Sequence, residues 1–120
     1  MANNTNTEDE RRTACALLWR QGMTERAPLR LGFRTVDEQQ RRIAACATWM
    51  GMTIVEQFTG TIRYRVEAGD RLNGLTRMLD KHHVDCVIVT RACLRGIDGD
   101  DLIALTVRLA NRGIDLVLAD

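Results

Sequence analysis

The sequence has no apolar run long enough to cross a membrane, and its first residues, MANNTNTEDERR, hold no apolar core of the kind found in secretory leaders. The expectation is a cytoplasmic chain with no membrane partner. It also lacks paired cysteines. Cys15, Cys46, Cys86 and Cys93 lie far apart with no C-x-x-C spacing, so they are expected to be buried, reduced thiols rather than a disulfide framework. Excess charge of either sign is absent. Seventeen Lys and Arg against 16 Asp and Glu leave +1, which provides no overall field to draw the chain to nucleic acid. Lysine is nearly missing: Lys81 stands alone among 16 arginines. Arginine suits bidentate phosphate binding, but a skew spread evenly along a chain reads as genome composition. No G-x-x-x-x-G-K phosphate loop occurs, nor any internal repeat or low-complexity segment, and no cofactor is implied.

What is present suits one globular domain. The chain has 120 residues, 45% of them hydrophobic and 28% charged, which is enough for a core without staples. The organising stretch is Val84 to Ile97, VDCVIVTRACLRGI. Its apolar half reads as a strand buried on both faces at the centre of a parallel sheet. Its second half opens into a loop bearing Arg91 and Arg95. Ligands in such sheets sit beyond the carboxyl ends of the strands, so chemistry is expected after Val89.

Around that stretch the elements alternate. Met1–Asn6 is polar and expected to be disordered. Thr7 to Glu10 forms a capping-box pattern, and Ala14, Leu17 and Leu18 give a helical stripe, so a helix is expected over residues 8–21. Trp19 makes that helix sticky, and it is expected to dock on the domain rather than serve as an arm for a partner. A linker follows, then a first strand at Leu29–Arg34. Asp37 is expected to cap a second helix, with Gln40 reaching back. Its apolar face is Ile43, Ala44, Cys46, Ala47 and Met50, and Gly51 stops it. Met52–Phe58 reads as a strand, 59–70 as a loop, and 71–82 as a helix bearing Leu72, Leu75 and Leu79. After the central strand, Asp100 is expected to cap a helix carrying Leu102, Thr106 and Leu109, which Asn111–Gly113 ends. Ile114–Ala119 is the last strand. The expected fold is α/β: a mostly parallel four-stranded sheet with helices on both faces, plus an extra N-terminal helix. Residues 1–28 are read as N-terminus, helix and linker, and 29–120 as the domain.

From Leu29 to Asp120, this order of patterns resembles the catalytic domain of serine recombinases, the resolvase/invertase family. LGFRTVDEQQRRIAAC lies on the family's G-Y-x-R-V-S strand and D-E-Q helix start. Arg71 before Gly74-Leu75 lies on an arginine before a G-L helix. TRACLRGIDGDDLIAL lies on the L-D-R-L-x-R loop and its helix, and LANRGIDLVLAD on the R-G-V-x-L-x-x-x-D ending. The resemblance implies a resolvase-like three-layer domain. It also implies cleavage and rejoining of DNA by a serine that forms a phosphoserine link, with arginines and no metal holding the phosphate. The serine position falls on Val36, and the nearest hydroxyl is Thr35. The loop's aspartate falls on Cys93 and its arginines on Leu94 and Ile97. Arg34 and Arg71 fall on arginine positions. Family members continue into a long helix that pairs subunits and usually a helix-turn-helix. This sequence ends at Asp120, so any dimer is expected to use another surface.

The reading that follows is a non-catalytic resolvase-like domain, a binding, assembly or regulatory module rather than an enzyme. Its expected partner is a protein or a second copy of itself, with DNA as a further candidate. Anion-binding candidates are Arg34, Arg71, Arg91 and Arg95, and Thr35 is catalytic only if the domain cuts. The alternatives are an active recombinase with a relocated nucleophile and a small α/β domain that binds a nucleotide or anion. His82, His83 and Cys86 are too few for structural zinc. Cys93 is expected to be an inert small residue rather than a thiol activated by Arg91 and Arg95. Asp98, Asp100 and Asp101 are expected to serve the following helix, and Arg63, Tyr64 and Arg65 a solvated loop.

Overall fold

A computed structural model describes residues 11–21, 35–62, 68–95 and 99–120. In chain order these form β1 (Thr13–Gln21), α1 (Val36–Met50), β2 (Thr53–Ile62), α2 (Ala68–Lys81), β3 (Cys86–Thr90), α3 (Arg91–Arg95), α4 (Gly99–Asn111) and β4 (Asp115–Ala119). The strands make one sheet in the order β2-β1-β3-β4, and every pairing is parallel. Helices cover both faces. Ile43 and Ala47 of α1 pack on one side with Ala14, Ala16, Leu18, Cys86 and Ile88. Leu75 and Leu79 of α2, Cys93 of α3, and Leu105 and Leu109 of α4 pack on the other with Cys15, Leu17, Trp19, Val87 and Val89. The α/β class and the four-stranded parallel sheet are as expected.

The first described strand stands where a helix is expected. Residues 13–21, expected within a helix, form β1, an interior strand of the sheet. Ala14 to Trp19 are all buried. A run that is apolar at every position leaves no side for solvent, which a docked surface helix needs; a strand covered on both faces does not. The helical stripe of Ala14, Leu17 and Leu18 passes over Cys15 and Ala16, which point to opposite faces of the sheet. The strand expected at Leu29–Arg34 and the preceding linker lie outside the described residues. Thr13–Gln21 therefore belongs to the sheet rather than to an appended arm.

Local chemistry sets the element ends. Thr35, with extended backbone, caps α1: its hydroxyl accepts from the Glu38 N–H at 3.2 Å. Asp37, expected as the cap, lies inside the first turn, where its charge suits the helix dipole. Gln40 does not reach back but donates to Gln57 on β2 at 3.1 Å. Gly51 ends α1 at φ 70°, as its position predicts, and Gly113 after α4 has φ 68°. The expected loop at 59–70 is shorter, because β2 runs to Ile62 and α2 begins at Ala68. Gly60 is buried in β2 opposite Trp19 in the register. A Cβ there would come 2.6 Å from the indole ring, so only glycine lets the ring lie against β2. At the amino end, Thr13 N–H donates to the Asp85 carboxylate at 2.8 Å, and Asp85 N–H donates to the Thr13 carbonyl at 3.0 Å. This closed pair fixes the register of β1 against β3.

Candidate functional site: the carboxyl ends of β1 and β3

The first described strand, β1, lies in the interior of the sheet. From β1 the chain crosses to β2 on one side, then back to β3 on the other. The reversal puts a topological switch point between β1 and β3, and the crevice beyond their carboxyl ends is where such sheets take ligands. Arg20, exposed, lies near the end of β1, and Thr90, fully buried, ends β3.

At that point β3 runs out. It pairs with β1 only from Ala14 to Ala16 and turns into α3 at Arg91. Trp19 therefore has a backbone N–H and C=O facing a place where β3 does not continue. Gln39 of α1 fills it. Trp19 N–H donates to Gln39 Oε1 at 2.8 Å, and Gln39 Nε2 donates to Trp19 O at 2.7 Å. The side-chain amide thus takes the place of a peptide group in a missing strand, and Gln39 is fully buried in doing so.

The region beside it is polar and incompletely paired. Arg42 donates from Nη1 to the Asp120 carbonyl at 3.1 Å and meets Glu38 Oε1 at 3.5 Å through Nη2. Its Nε is buried without a hydrogen-bond partner, as is Thr90 Oγ1. Arg91 sets Nε 3.6 Å from Asp120 Oδ1, both side chains largely exposed. Two guanidinium groups and two carboxylates therefore meet where β3 and β4 end.

The sequence-predicted residues are distributed as follows. Arg91 is at the crevice, the first residue of a short helix rather than of a loop. Arg34 lies outside the described residues. Arg71 is in α2 and Arg95 ends α3, but their side chains are outside what is described. The hydroxyl of Thr35 is engaged as a helix cap. Cys93 is buried in the core on the α2 side. Cys86 is buried in β3, and His82 Nδ1 lies 3.7 Å from Glu56 Oε1. Among the described residues no group of three or more His, Cys, Asp or Glu side chains is placed to hold a metal. Asp100 lies inside α4, which starts at Gly99 rather than being capped there. Asp98, Arg63, Tyr64 and Arg65 are outside the described residues. Sequence reasoning missed Arg20, Thr90 and Gln39. The signal for Arg20 was present, as the first charged residue after six apolar ones.

This topology defines an all-parallel, doubly wound α/β domain with its crevice at the β1/β3 switch point, and solved structures narrow it. The fold is that of serine recombinase catalytic domains. The C-terminal catalytic domain of ISC1926 TnpA, an IS607-like serine recombinase, superposes with a TM-score of 0.60 at 13% identity, covering 88% of this chain and 69% of that one. The N-terminal catalytic domain of TP901-1 integrase gives a TM-score of 0.62 at 17% identity, over 88% and 75% of the two chains. At such identities the likeness is one of fold. No protein-family model matches the sequence, and no curated protein matches it.

Proposed function

We propose that this chain is a resolvase-like domain that does not cleave DNA and acts as a binding or assembly module. Its partner would be another protein or a second copy of the chain. One observation carries the reading: the 120 residues contain no serine. The family's reaction needs a serine hydroxyl to take the phosphodiester, and neither register supplies one. Laid on Leu29–Arg34, the strand pattern puts Val36 at the nucleophile. Laid on β1, its arginine falls on Arg20 and its serine position on Gly22. The expected substitutes are also occupied. Thr35 caps α1 through its hydroxyl, and burying Cys93 in an apolar core holds its thiol away from solvent. Exposed Ile103 and Val107 on α4 suit a protein surface better than a phosphate backbone, and the net charge of +1 supports the same choice.

The test uses nicked suicide DNA substrates with the full chain, followed by denaturing electrophoresis. The expected result is no covalent protein–DNA adduct. An adduct abolished by Thr35→Ala, or by Thr24→Ala, whose hydroxyl is the nearest in sequence to Gly22, would overturn the proposal.

A further inference from the structure

The two edges of the sheet are unlike. On β2 the register against β1 slips at Val55, and Glu56 and Gln57 follow. A bulge and polar side chains keep an edge from pairing with a further strand. β4, at the other edge, reads DLVLA, with unbroken register against β3 and no charge or proline between Asp115 and Asp120. Asp115 N–H donates to the Asp85 carbonyl at 3.1 Å, toward β3. Backbone groups alternate along a strand, so those of Leu116 and Leu118 point outward, where no described strand pairs with them. Above this edge α4 has an open side. Its Arg108 donates to Asn73 at 3.3 Å, and Arg112 just past its end donates to Asp80 at 2.7 Å, both partners on α2. Leu105 and Leu109 face the sheet. Helical spacing then puts Ile103 and Ala110, both exposed, on the side away from α2.

We propose that β4 pairs antiparallel with β4 of a second copy of this chain, about a two-fold axis at Val117, so that two sheets join into one. The proposal rests on the reading of the chain as an assembly module and names its partner and surface. What this edge offers is a row of peptide groups, which another strand answers. The chain carries that strand itself, because a two-fold axis lets one surface serve both sides. About the axis, Leu116 exchanges N–H···O bonds with Leu118 of the second copy. Their side chains lie on the α4 face of both sheets and cover each other. Ile103 and Ala110 of the two α4 helices then approach across the axis. The charges are self-complementary. β4 starts at the Arg12–Asp115 pair, 2.7 Å apart, and ends at Arg91–Asp120, 3.6 Å apart. Antiparallel pairing sets one end beside the other, which brings Arg12 toward Asp120 of the second copy and Arg91 toward its Asp115.

The test is sedimentation equilibrium of the full chain over a range of concentrations, with amide hydrogen exchange alongside. Expected are a dimer and slowed exchange at the Leu116 and Leu118 amides as it forms. Leu118→Pro removes an outward N–H, a change that an edge strand tolerates. The two-fold axis makes the loss count twice, so the dimer Kd should rise about tenfold or more. Leu118→Lys keeps the backbone and sets a charge against Leu116 of the second copy, so it decides the matter if Leu118→Pro does not fold. Val55→Lys, at an exposed position on the other edge, should leave the Kd unchanged. A monomer at every concentration would overturn the proposal, while the suicide-substrate assay separately decides whether the domain cuts. A dimer indifferent to both Leu118 variants would overturn it equally.

Discussion

Gln39 is the residue on which the candidate crevice depends. Its amide answers two backbone groups that would otherwise be buried without partners, and each such group costs about 1–3 kcal/mol. Gln39→Leu is therefore expected to destabilise the fold by roughly 2–4 kcal/mol in chemical denaturation, despite keeping a buried side chain of similar size. Gln40→Leu, which removes an exposed bond from the same helix, should change stability by only about 0.5 kcal/mol or less. An equal effect of the two would mean that Gln39 is not replacing a strand. In the sequence, Gln39 is legible only as part of a polar helix start. Nothing there shows that β3 stops short of Trp19, because the mismatch between strand lengths exists only once the sheet is assembled.

At the scale of elements, helix ends were read well and strand identity less so. Gly51 and Gly113 stop helices where their positions predict, because a left-handed residue has few alternatives to glycine. TACALLWRQ is expected as part of a helix but forms a strand, because six apolar residues fit a buried strand and a buried helix alike. Its flanking arginines and the lack of any polar side were the clue. Helix-to-helix contact rests partly on Arg112, after α4, whose Nε meets Asp80 Oδ1 of α2 at 2.7 Å. The hydrogen bond from Arg112, chiefly, holds the Asp80 carboxyl below its ordinary value of 3.8. A carboxylate depressed in the folded state contributes stability above its unfolded pKa and loses it as pH falls through the folded value. Thermal melts should therefore show Asp80→Asn flattening the acid limb below pH 3.8 while changing the neutral Tm little, since the pair is solvent-exposed.

For the whole molecule, strand–helix alternation leads to a parallel α/β sheet, and the order and spacing of the motifs lead to the recombinase fold. The later patterns, from VDCVIV to DLVLAD, have few alternative placements and carried the likeness. The site was less legible. Half of it lies at the end of a strand whose sequence suits a helix equally well, and Gln39 acts through a backbone that no motif describes. The net charge of +1 makes a molecular-scale prediction. DNA binding measured at two salt concentrations should be weak with a shallow salt slope, and light scattering should return the same mass at both. Tight binding that falls steeply with salt would instead mark a phosphate-tracking surface.

The clamp between Gln39 and Trp19 also sets where the molecule would first come apart. Strand–strand pairing holds the amino half of β1 on both sides, at Thr53–Glu56 and at Cys86–Ile88. Among the described residues, its carboxyl half is held on the β3 side by Gln39 of α1. Were α1 to lift away, that half would fray on one side while the rest of the sheet kept its ladder. The seam between cooperative units would then run across β1 itself, through the strand's middle, rather than along any loop.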